Sequence, residues 1–103
     1  MVIGSFAEKI YACIRKIPAG KVATYASVSR AIGHPKAFRA TGNALNKNPY
    51  APEAPCHRVV CSGGKIGGFA QGNKRKMQLL KSEGVEFMGQ KIDLTRYEHK
   101  FKN

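Results

Sequence analysis

The sequence predicts a mainly α-helical domain with a small β-hairpin, of the winged helix-turn-helix type. Three observations support this prediction: several stretches have apolar residues at helical spacing, two of the predicted helices are separated by a short glycine-containing turn, and a brief β-branched run precedes a Ser-Gly-Gly turn. At 103 residues the chain is long enough for one domain with a modest core. We predict a single domain over residues 1–103, with its core at about 5–90 and no separate N-terminal domain.

The first helix is predicted over residues 6–16. Ser5 and Glu8 have the spacing of a capping box. Apolar residues then recur at helical spacing, which places them on one inward-facing stripe: Phe6, Ile10, Cys13, Ile14 and Ile17. Cys13 is therefore a predicted core residue. Pro18-Ala19-Gly20 ends the helix, and residues 21–23 form an extended link.

Two helices follow, predicted over residues 25–31 and 36–46. Thr24 is a suitable N-cap for the first of them, and Gly33 a suitable residue after its end. Pro35 suits the first turn of the second, which is rich in small residues that allow close approach to a surface. Two helices joined in this way on a basic chain indicate a helix-turn-helix, although any helical hairpin produces a similar pattern.

The predicted hairpin lies in the second half of the chain. Residues 46–55 form a loop stiffened by Pro49, Pro52 and Pro55. A strand over residues 58–61, a tight turn and a return strand at 65–66 follow.

The remaining segments are a loop, a helix and a tail. Residues 67–72 form a glycine-rich loop that suits closure over a ligand, because the spacing of its glycines matches neither common phosphate-binding motif. Asn73 can cap a last helix over 74–82, with Met77 and Leu80 inward and Gly84 after its end. The pattern fades from Val85 onward, and we expect residues 91–103 to be a basic, partly disordered tail.

The charge is strongly unbalanced: 18 Lys and Arg residues against 6 Asp and Glu give a net charge of +12. Such an excess favours a polyanionic partner, with nucleic acid first and an anionic membrane surface second, while a role in solubility alone is the simpler alternative. The basic residues are spread over several elements instead of forming one basic amphipathic helix, which favours nucleic acid.

The chain contains neither a predicted membrane span nor the features of a signal peptide. Its three cysteines cannot all pair within the chain and do not have zinc-ligand spacing. We therefore expect a cytoplasmic, monomeric protein in a reducing compartment, without a metal or cofactor.

The candidate reactive group is Cys56, in the segment Pro55-Cys56-His57-Arg58-Val59-Val60. A thiol between a rigid turn and a short buried strand can face a pocket, and a neighbouring imidazole can help to remove its proton. The alternative is a core cysteine beside a surface histidine. Glu83 stands at the end of a predicted helix, where the macrodipole disfavours a carboxylate, so it needs a charged or hydrogen-bonding partner.

Several motifs in this order resemble the C-terminal, active-site domain of the O6-alkylguanine-DNA alkyltransferases, over roughly residues 6–87. The segments that carry the resemblance are Gly20-Lys21-Val22 before Thr24-Tyr25, Pro35-Lys36-Ala37-Phe38-Arg39-Ala40, Asn48-Pro49, the hexapeptide around Cys56, and Leu79-Leu80-Lys81-Ser82-Glu83-Gly84. The resemblance implies direct-reversal repair, in which the alkyl group of O6-alkylguanine, with O4-alkylthymine as a further candidate substrate, moves irreversibly to the protein's own cysteine.

The resemblance also implies the roles of the catalytic residues. Cys56 would accept the alkyl group, and His57, through a water, would take the thiol proton. Glu83 would orient His57, and Asn48 would brace the turn that carries the nucleophile. Tyr25 would help to protonate the departing guanine.

A second set of implied roles concerns duplex DNA bound through its minor groove. Arg39 would enter the gap left by the extruded nucleotide, and Tyr25 would lie beside that gap. The third helix would contribute the other DNA-binding residues: Lys36, Ala37, Ala40 and Thr41. The base pocket would be formed by Val59, Phe69, Ala70 and Met77, with the carbonyls of Cys56 and Val59 reading the guanine amino edge.

Two alternatives remain open from the sequence. Phe69 stands where the family usually has a tyrosine in the closing loop, and we expect no counterpart of the family's usual N-terminal domain. Both features fit an alkyltransferase-like lesion sensor that binds without reacting, although such proteins usually lack the acceptor cysteine. A helix-turn-helix transcription regulator is the second alternative, but it would not need Cys56, His57 and Glu83 together.

Overall fold

The computed structural model describes residues 5–51, 53–66 and 73–101. Within these residues the elements are α1 (Ser5–Ile14), β1 (Ala23–Thr24), α2 (Tyr25–Ala31), α3 (Phe38–Asn46), β2 (Val59–Val60), α4 (Asn73–Ser82), β3 (Phe87–Met88), β4 (Lys91–Ile92) and α5 (Leu94–Tyr97). Short 3₁₀ turns lie at Cys56–Arg58 and Ser62–Gly64. The predicted fold class, mainly helical with a small hairpin, is confirmed. None of the described helices is both long and apolar enough to cross a membrane.

The predicted cap of α2 is confirmed. The Thr24 hydroxyl accepts a hydrogen bond from the Ser27 amide at 3.1 Å, and the Ser27 hydroxyl oxygen accepts one from the Thr24 amide at 3.1 Å. This reciprocal pair satisfies two backbone donors that the first helical turn leaves without partners. The side chain of Ser5, on which the predicted cap of α1 depends, lies outside the described part of the chain.

Two predicted helix bounds are wrong by two residues. The helix α1 ends at Ile14, and α3 begins at Phe38 instead of residue 36. The segment around Pro35 forms a turn, because the Ala37 amide donates to the His34 carbonyl at 3.0 Å. The end of α4 agrees with the sequence: Gly84 has φ +93°, and the Val85 amide donates to the Leu80 carbonyl at 3.1 Å, as in a Schellman motif.

The core consists of two clusters. The first lies where α1, α2 and α3 meet the segment around Cys56, and it includes Ile10, Ile14, Val28, Leu45 and Val59. Cys13 belongs to it at 6% exposure, which confirms it as a core residue. The second cluster joins the end of α4 to the C-terminal segment through Val22, Val60, Leu80, Val85, Ile92 and Tyr97. Val59 and Val60 are consecutive strand residues whose side chains point to opposite faces, so β2 contributes to both clusters.

The predicted hairpin over residues 58–66 is wrong in its strand pairing, although a tight turn follows β2, with the Cys61 amide donating to the Lys65 carbonyl at 2.8 Å. The strand β2 pairs in parallel with β1, with Ala23 opposite Val59 and Thr24 opposite Val60. The antiparallel hairpin is formed by β3 and β4. The segment after β2 packs on β4, since Lys65 is bridged to Lys91 and a Cβ at Gly64 would overlap the Ile92 carbonyl oxygen.

The expected disorder after residue 91 is also wrong for residues 91–101. This segment contains β4 and α5, and it then runs beside Val22. The Val22 amide donates to the Tyr97 carbonyl at 2.8 Å, and the His99 amide donates to the Val22 carbonyl at 2.7 Å. Tyr97 is 8% exposed and lies in the second core cluster, so the segment is held by buried contacts.

Candidate active site

Cys56 lies at the junction that the sequence predicts, between a tight turn and β2. Pro55 has φ −83° and ψ 71°, and the Cys56 amide donates to the Ala54 carbonyl at 2.9 Å, which defines an inverse γ-turn. A 3₁₀ turn follows, in which the Arg58 amide donates to the Pro55 carbonyl at 2.9 Å. Cys56 is 7% exposed, so its thiol is held in a nearly closed, rigid segment.

Asn48 contacts the turn that precedes Cys56, which is what its predicted bracing role requires. Its side-chain amide donates to the Ala54 carbonyl at 2.7 Å, and its side-chain oxygen accepts from the Tyr50 amide at 2.9 Å. Both bonds involve the loop over residues 46–55. Because the Ala54 carbonyl also accepts from the Cys56 amide, Asn48 is connected to Cys56 through one peptide group.

His57, Arg58 and Glu83 form a hydrogen-bonded ionic cluster. His57 Nε2 lies 3.0 Å from Glu83 Oε2. Arg58 donates to both carboxylate oxygens, from Nε at 3.0 Å and from Nη2 at 2.6 Å, and its Nη1 donates to the Ile17 carbonyl at 2.8 Å. The acid at the end of α4 therefore has the partner that its unfavourable position required. The sequence did not predict the part taken by Arg58, although it directly follows His57.

The cluster controls two protonation states. Burial lowers the pKa of His57, and this effect outweighs the opposing hydrogen bond and charge of Glu83. Burial by itself would raise the pKa of Glu83, but the hydrogen bonds from Arg58 and His57 lower it below its ordinary value. Near neutral pH, a neutral imidazole thus donates Nε2–H to a carboxylate, and Nδ1 is left as the basic nitrogen.

Tyr25 is the first residue of α2 and is half-buried. Burial, with smaller contributions from the nearby Cys61 and Cys56, raises the pKa of its phenol to about 12. The phenol therefore keeps its proton at neutral pH and can act as a hydrogen-bond donor. This property is what its predicted role toward a departing guanine requires.

Lys76, on α4, is a buried residue that sequence reasoning missed. It is 0% exposed, and Nζ donates to the carbonyls of Val59 and Ile66 at 2.6 Å each. Nζ also lies 5.8 Å from the centre of the Tyr25 ring. The signal that could have found it is its position four residues before Leu80, which places both on the inner face of α4. Leu80 is itself 0% exposed, as predicted.

Burial lowers the pKa of Lys76 to about 8 from 10.5, although the thiols of Cys61 and Cys56 oppose the shift. Between these values the unfolded chain binds more protons than the folded one, so the free energy of unfolding is expected to rise with pH. Lys76→Met should remove this rise, whereas Lys74→Met, at an exposed position of the same helix, should keep it. Urea unfolding at a series of pH values from 7.5 to 10 measures the free energy of unfolding at each pH. An equal dependence of this free energy on pH in both variants would contradict the lowered pKa of Lys76.

The predicted DNA-binding residues occupy different environments on α3 and the turn before it. Lys36, Arg39 and Ala40 are exposed, and Ala37 is half-buried. Thr41 is 0% exposed, and its hydroxyl is hydrogen-bonded to that of Ser29 at 2.9 Å. The prediction that Thr41 contacts DNA is therefore wrong, because its side chain joins α3 to α2.

The predicted base pocket is only partly described. Phe69 and Ala70, with the rest of the glycine-rich loop, lie outside the described residues. Val59 is 0% exposed and Met77 is half-buried. The Val59 carbonyl accepts from Lys76, and the Cys56 carbonyl accepts from the Val59 amide. Each of these carbonyl oxygens has a second lone pair for a further donor.

A cavity of about 520 Å³ lies elsewhere, between α1, the end of α2 and the C-terminal segment. It contains none of the predicted site residues. Its lining is Lys9, Ala12, Cys13, Lys16, Ala31, Ile32, His99, Lys100 and Phe101. The candidate site therefore rests on the constrained thiol and the ionic cluster, and not on this cavity.

The described chain thus combines a helix-turn-helix-like arrangement of α2 and α3 with a buried thiol beside a carboxylate-anchored histidine. The family described as "6-O-methylguanine DNA methyltransferase, DNA binding domain" matches residues 5–85, and the chain belongs to this family. The methylated-DNA--protein-cysteine methyltransferase of Methanosarcina acetivorans is 44% identical over 79 residues, which cover 77% of this chain and 51% of that protein. The chain spans about half the length, or less, of the first curated relatives that it matches.

Two solved structures extend the comparison. Atl1 of S. pombe, in complex with damaged DNA containing O6-carboxymethylguanine, is 32% identical with a TM-score of 0.84, and the match covers 97% of this chain and 99% of that one. Mycobacterium tuberculosis OGT in complex with DNA is 36% identical with a TM-score of 0.77, over 80% of this chain and 51% of that one.

Proposed function

We propose that the chain is the active-site domain of a DNA alkyltransferase, which moves the alkyl group from O6-alkylguanine in duplex DNA to Cys56. The observation that carries the proposal is the buried Cys56 beside His57, whose Nε2 is held 3.0 Å from Glu83 within the matched family range. An irreversible displacement at a saturated carbon needs a soft nucleophile, and a thiolate is one. The acceptor is consumed in a single turnover.

The proposed reaction requires no cofactor. The Cys56 sulfur forms a bond to the alkyl carbon while the bond from that carbon to guanine O6 breaks, and the bonding electrons stay on the guanine. Before the attack, the thiol proton passes to Nδ1 of His57, by way of a water in the arrangement that the resemblance implies. The Tyr25 phenol protonates the departing guanine, and the proton held by His57 restores the phenol. The protonated phenol and the neutral imidazole support these roles.

The target atom is buried in a base stack, so the proposal includes extrusion of the damaged nucleotide, at a cost of a few kcal/mol. Arg39, on the exposed face of α3, fills the gap from the minor groove, and Lys36 contacts the backbone. The net charge of +12 supports binding that is largely phosphate-driven and salt-sensitive. The proposed protein acts as a monomer in the cytoplasm, where reducing conditions keep the thiol free.

The second candidate is a lesion sensor that binds the same DNA without reacting. The match to Atl1, whose structure is a complex with damaged DNA containing O6-carboxymethylguanine, favours it and covers 97% of this chain and 99% of that one. Cys56 and the cluster around His57 favour the alkyltransferase.

The two candidate functions predict different protein masses after incubation with the damaged DNA. Incubation with a duplex that contains O6-methylguanine, followed by intact-mass spectrometry, is expected to show one added methyl group per protein. Peptide mapping should place it on Cys56 and not on Cys13 or Cys61. An unchanged mass with selective lesion binding would instead establish the sensor, and no preference for the lesion would contradict both candidates.

A further inference from the structure

The face of α3 beside Arg39 carries an exposed aromatic side chain, Phe38. Phe38 and Met88 are the strongly exposed large apolar side chains within the described residues, at 55% and 66%. A single exposed apolar residue is common on protein surfaces and indicates nothing by itself. The surroundings of Phe38 distinguish it, because it directly precedes the residue proposed to enter the duplex.

Phe38 borders a shallow hollow of about 270 Å³. The hollow is lined by the α3 residues Phe38, Arg39, Gly42, Asn43 and Asn46, together with Tyr25 of α2. Their spacing of three to four places the α3 residues on one face of the helix. A Cβ added at Gly42 would meet nothing within 4 Å, so packing inside the protein does not require a glycine there. Its missing side chain leaves the floor of the hollow open to another molecule.

The lining combines groups that bind nucleobases. Aromatic rings offer a stacking surface for any base, and a guanidinium plane can stack as well as pair with a phosphate. The asparagine side chains carry both a donor and an acceptor, which suit the edges of bases. Arg39 and the exposed Lys36 supply positive charge at the same end of α3. A polyanion with stacked planar groups fits this surface better than a neutral apolar partner does.

We propose that Phe38 is a second wedge, which stacks on the base pair next to the gap while Arg39 fills the gap itself. The hollow beside Phe38 receives the edge of that neighbouring base pair, within reach of Asn43 and Asn46. Minor-groove proteins commonly insert apolar side chains between base steps in this way. The inference rests on the proposed function and adds a residue that stabilises the opened duplex without contacting the reacting atoms.

The test compares Phe38→Ala and Phe38→Trp with a control, Met88→Ala. The control removes the strongly exposed apolar side chain of the β3–β4 hairpin, which lies away from α3 in the chain. Single-turnover rates are measured on a duplex containing O6-methylguanine and on free O6-benzylguanine, which needs no base extrusion. Phe38→Ala should slow the duplex reaction by about 5- to 150-fold, the equivalent of one lost base–aromatic stack, and leave the free-base rate unchanged. Phe38→Trp should restore the duplex rate, and Met88→Ala should match the wild type.

A second readout follows base opening directly, with 2-aminopurine placed next to the lesion. The wild type should change its fluorescence on binding, and Phe38→Ala should weaken that change. A duplex rate within twofold of the wild type, or an equal loss on both substrates, would overturn the wedge. So would an unchanged duplex rate with an altered oligomeric state, which would assign Phe38 to a contact between copies. If the wild type opens the duplex without transferring a methyl group, the proposed chemistry fails and the fluorescence comparison still decides on Phe38.

Discussion

Replacement of Cys56 by alanine is expected to abolish alkyl transfer completely, while the affinity for lesion-containing duplex stays within about threefold of the wild type. In the proposed reaction the Cys56 sulfur forms the new bond, so no other group in the site replaces it. Affinity should persist because it depends on phosphate contacts and on the side chains of α3, not on the thiol. Intact-mass spectrometry measures the transfer, and fluorescence anisotropy of a labelled duplex measures the binding.

Cys61→Ala is the matched control for this prediction. Cys61 follows β2 in the same segment and is half-buried, yet it has no proposed part in the reaction. The variant should gain one methyl group like the wild type. Methylation of Cys56→Ala would show that Cys56 is not the acceptor. Loss of methylation in Cys61→Ala, with normal transfer in Cys56→Ala, would identify Cys61 as the acceptor instead.

The parts of the fold that could be predicted have local signals. Thr24 and Gly84 mark helix ends through caps that depend on neighbouring residues, and both are confirmed. The Pro55–Cys56 junction depends on the fixed φ of one proline. Glu83 could be identified because a carboxylate at a helix C-terminus is electrostatically unfavourable without a partner.

The parts that could not be predicted depend on contacts between distant residues. The parallel pairing of β1 with β2 joins Ala23 to Val59, and no local pattern specifies such a partner. The burial of Lys76 depends on two carbonyls supplied by other segments, so its charge made an exposed position the natural expectation. The β3–β4 hairpin is different, because it has a local signal: Gly89-Gln90 is a two-residue turn with φ +65° at Gly89.

Glu83→Gln is expected to slow alkyl transfer by about 100-fold or more, the usual contribution of a positioned general base. The amide cannot accept hydrogen bonds on both sides, whereas Glu83 accepts from His57 and from Arg58. If its NH₂ group faces His57, it favours the tautomer with the proton on Nδ1, which removes the basic nitrogen from the thiol. Single-turnover rates on free O6-benzylguanine measure this loss without any contribution from DNA binding.

The same change is expected to lower the free energy of unfolding by about 2–3 kcal/mol at pH 7, because it leaves Arg58 without its carboxylate. The loss is below that for a fully buried pair, since the Arg58 and Glu83 side chains are 18% and 15% exposed. Glu86→Gln is the control, because Glu86 pairs with Arg96 at 3.3 Å with both side chains largely exposed. That variant should change stability by less than about 0.5 kcal/mol.

The pH dependence separates the roles of Glu83 in catalysis and in stability. Because the folded pKa of Glu83 is lowered, its stabilising effect is present above the ordinary value of 4.5 and is lost as the pH falls through the folded pKa. The stability difference between wild type and Glu83→Gln should therefore shrink in acid. The acid limb of the transfer rate should move to lower pH in the variant, because Glu83 opposes the burial that lowers the pKa of His57. A rate loss with an unmoved acid limb would contradict an effect of Glu83 on the pKa of His57.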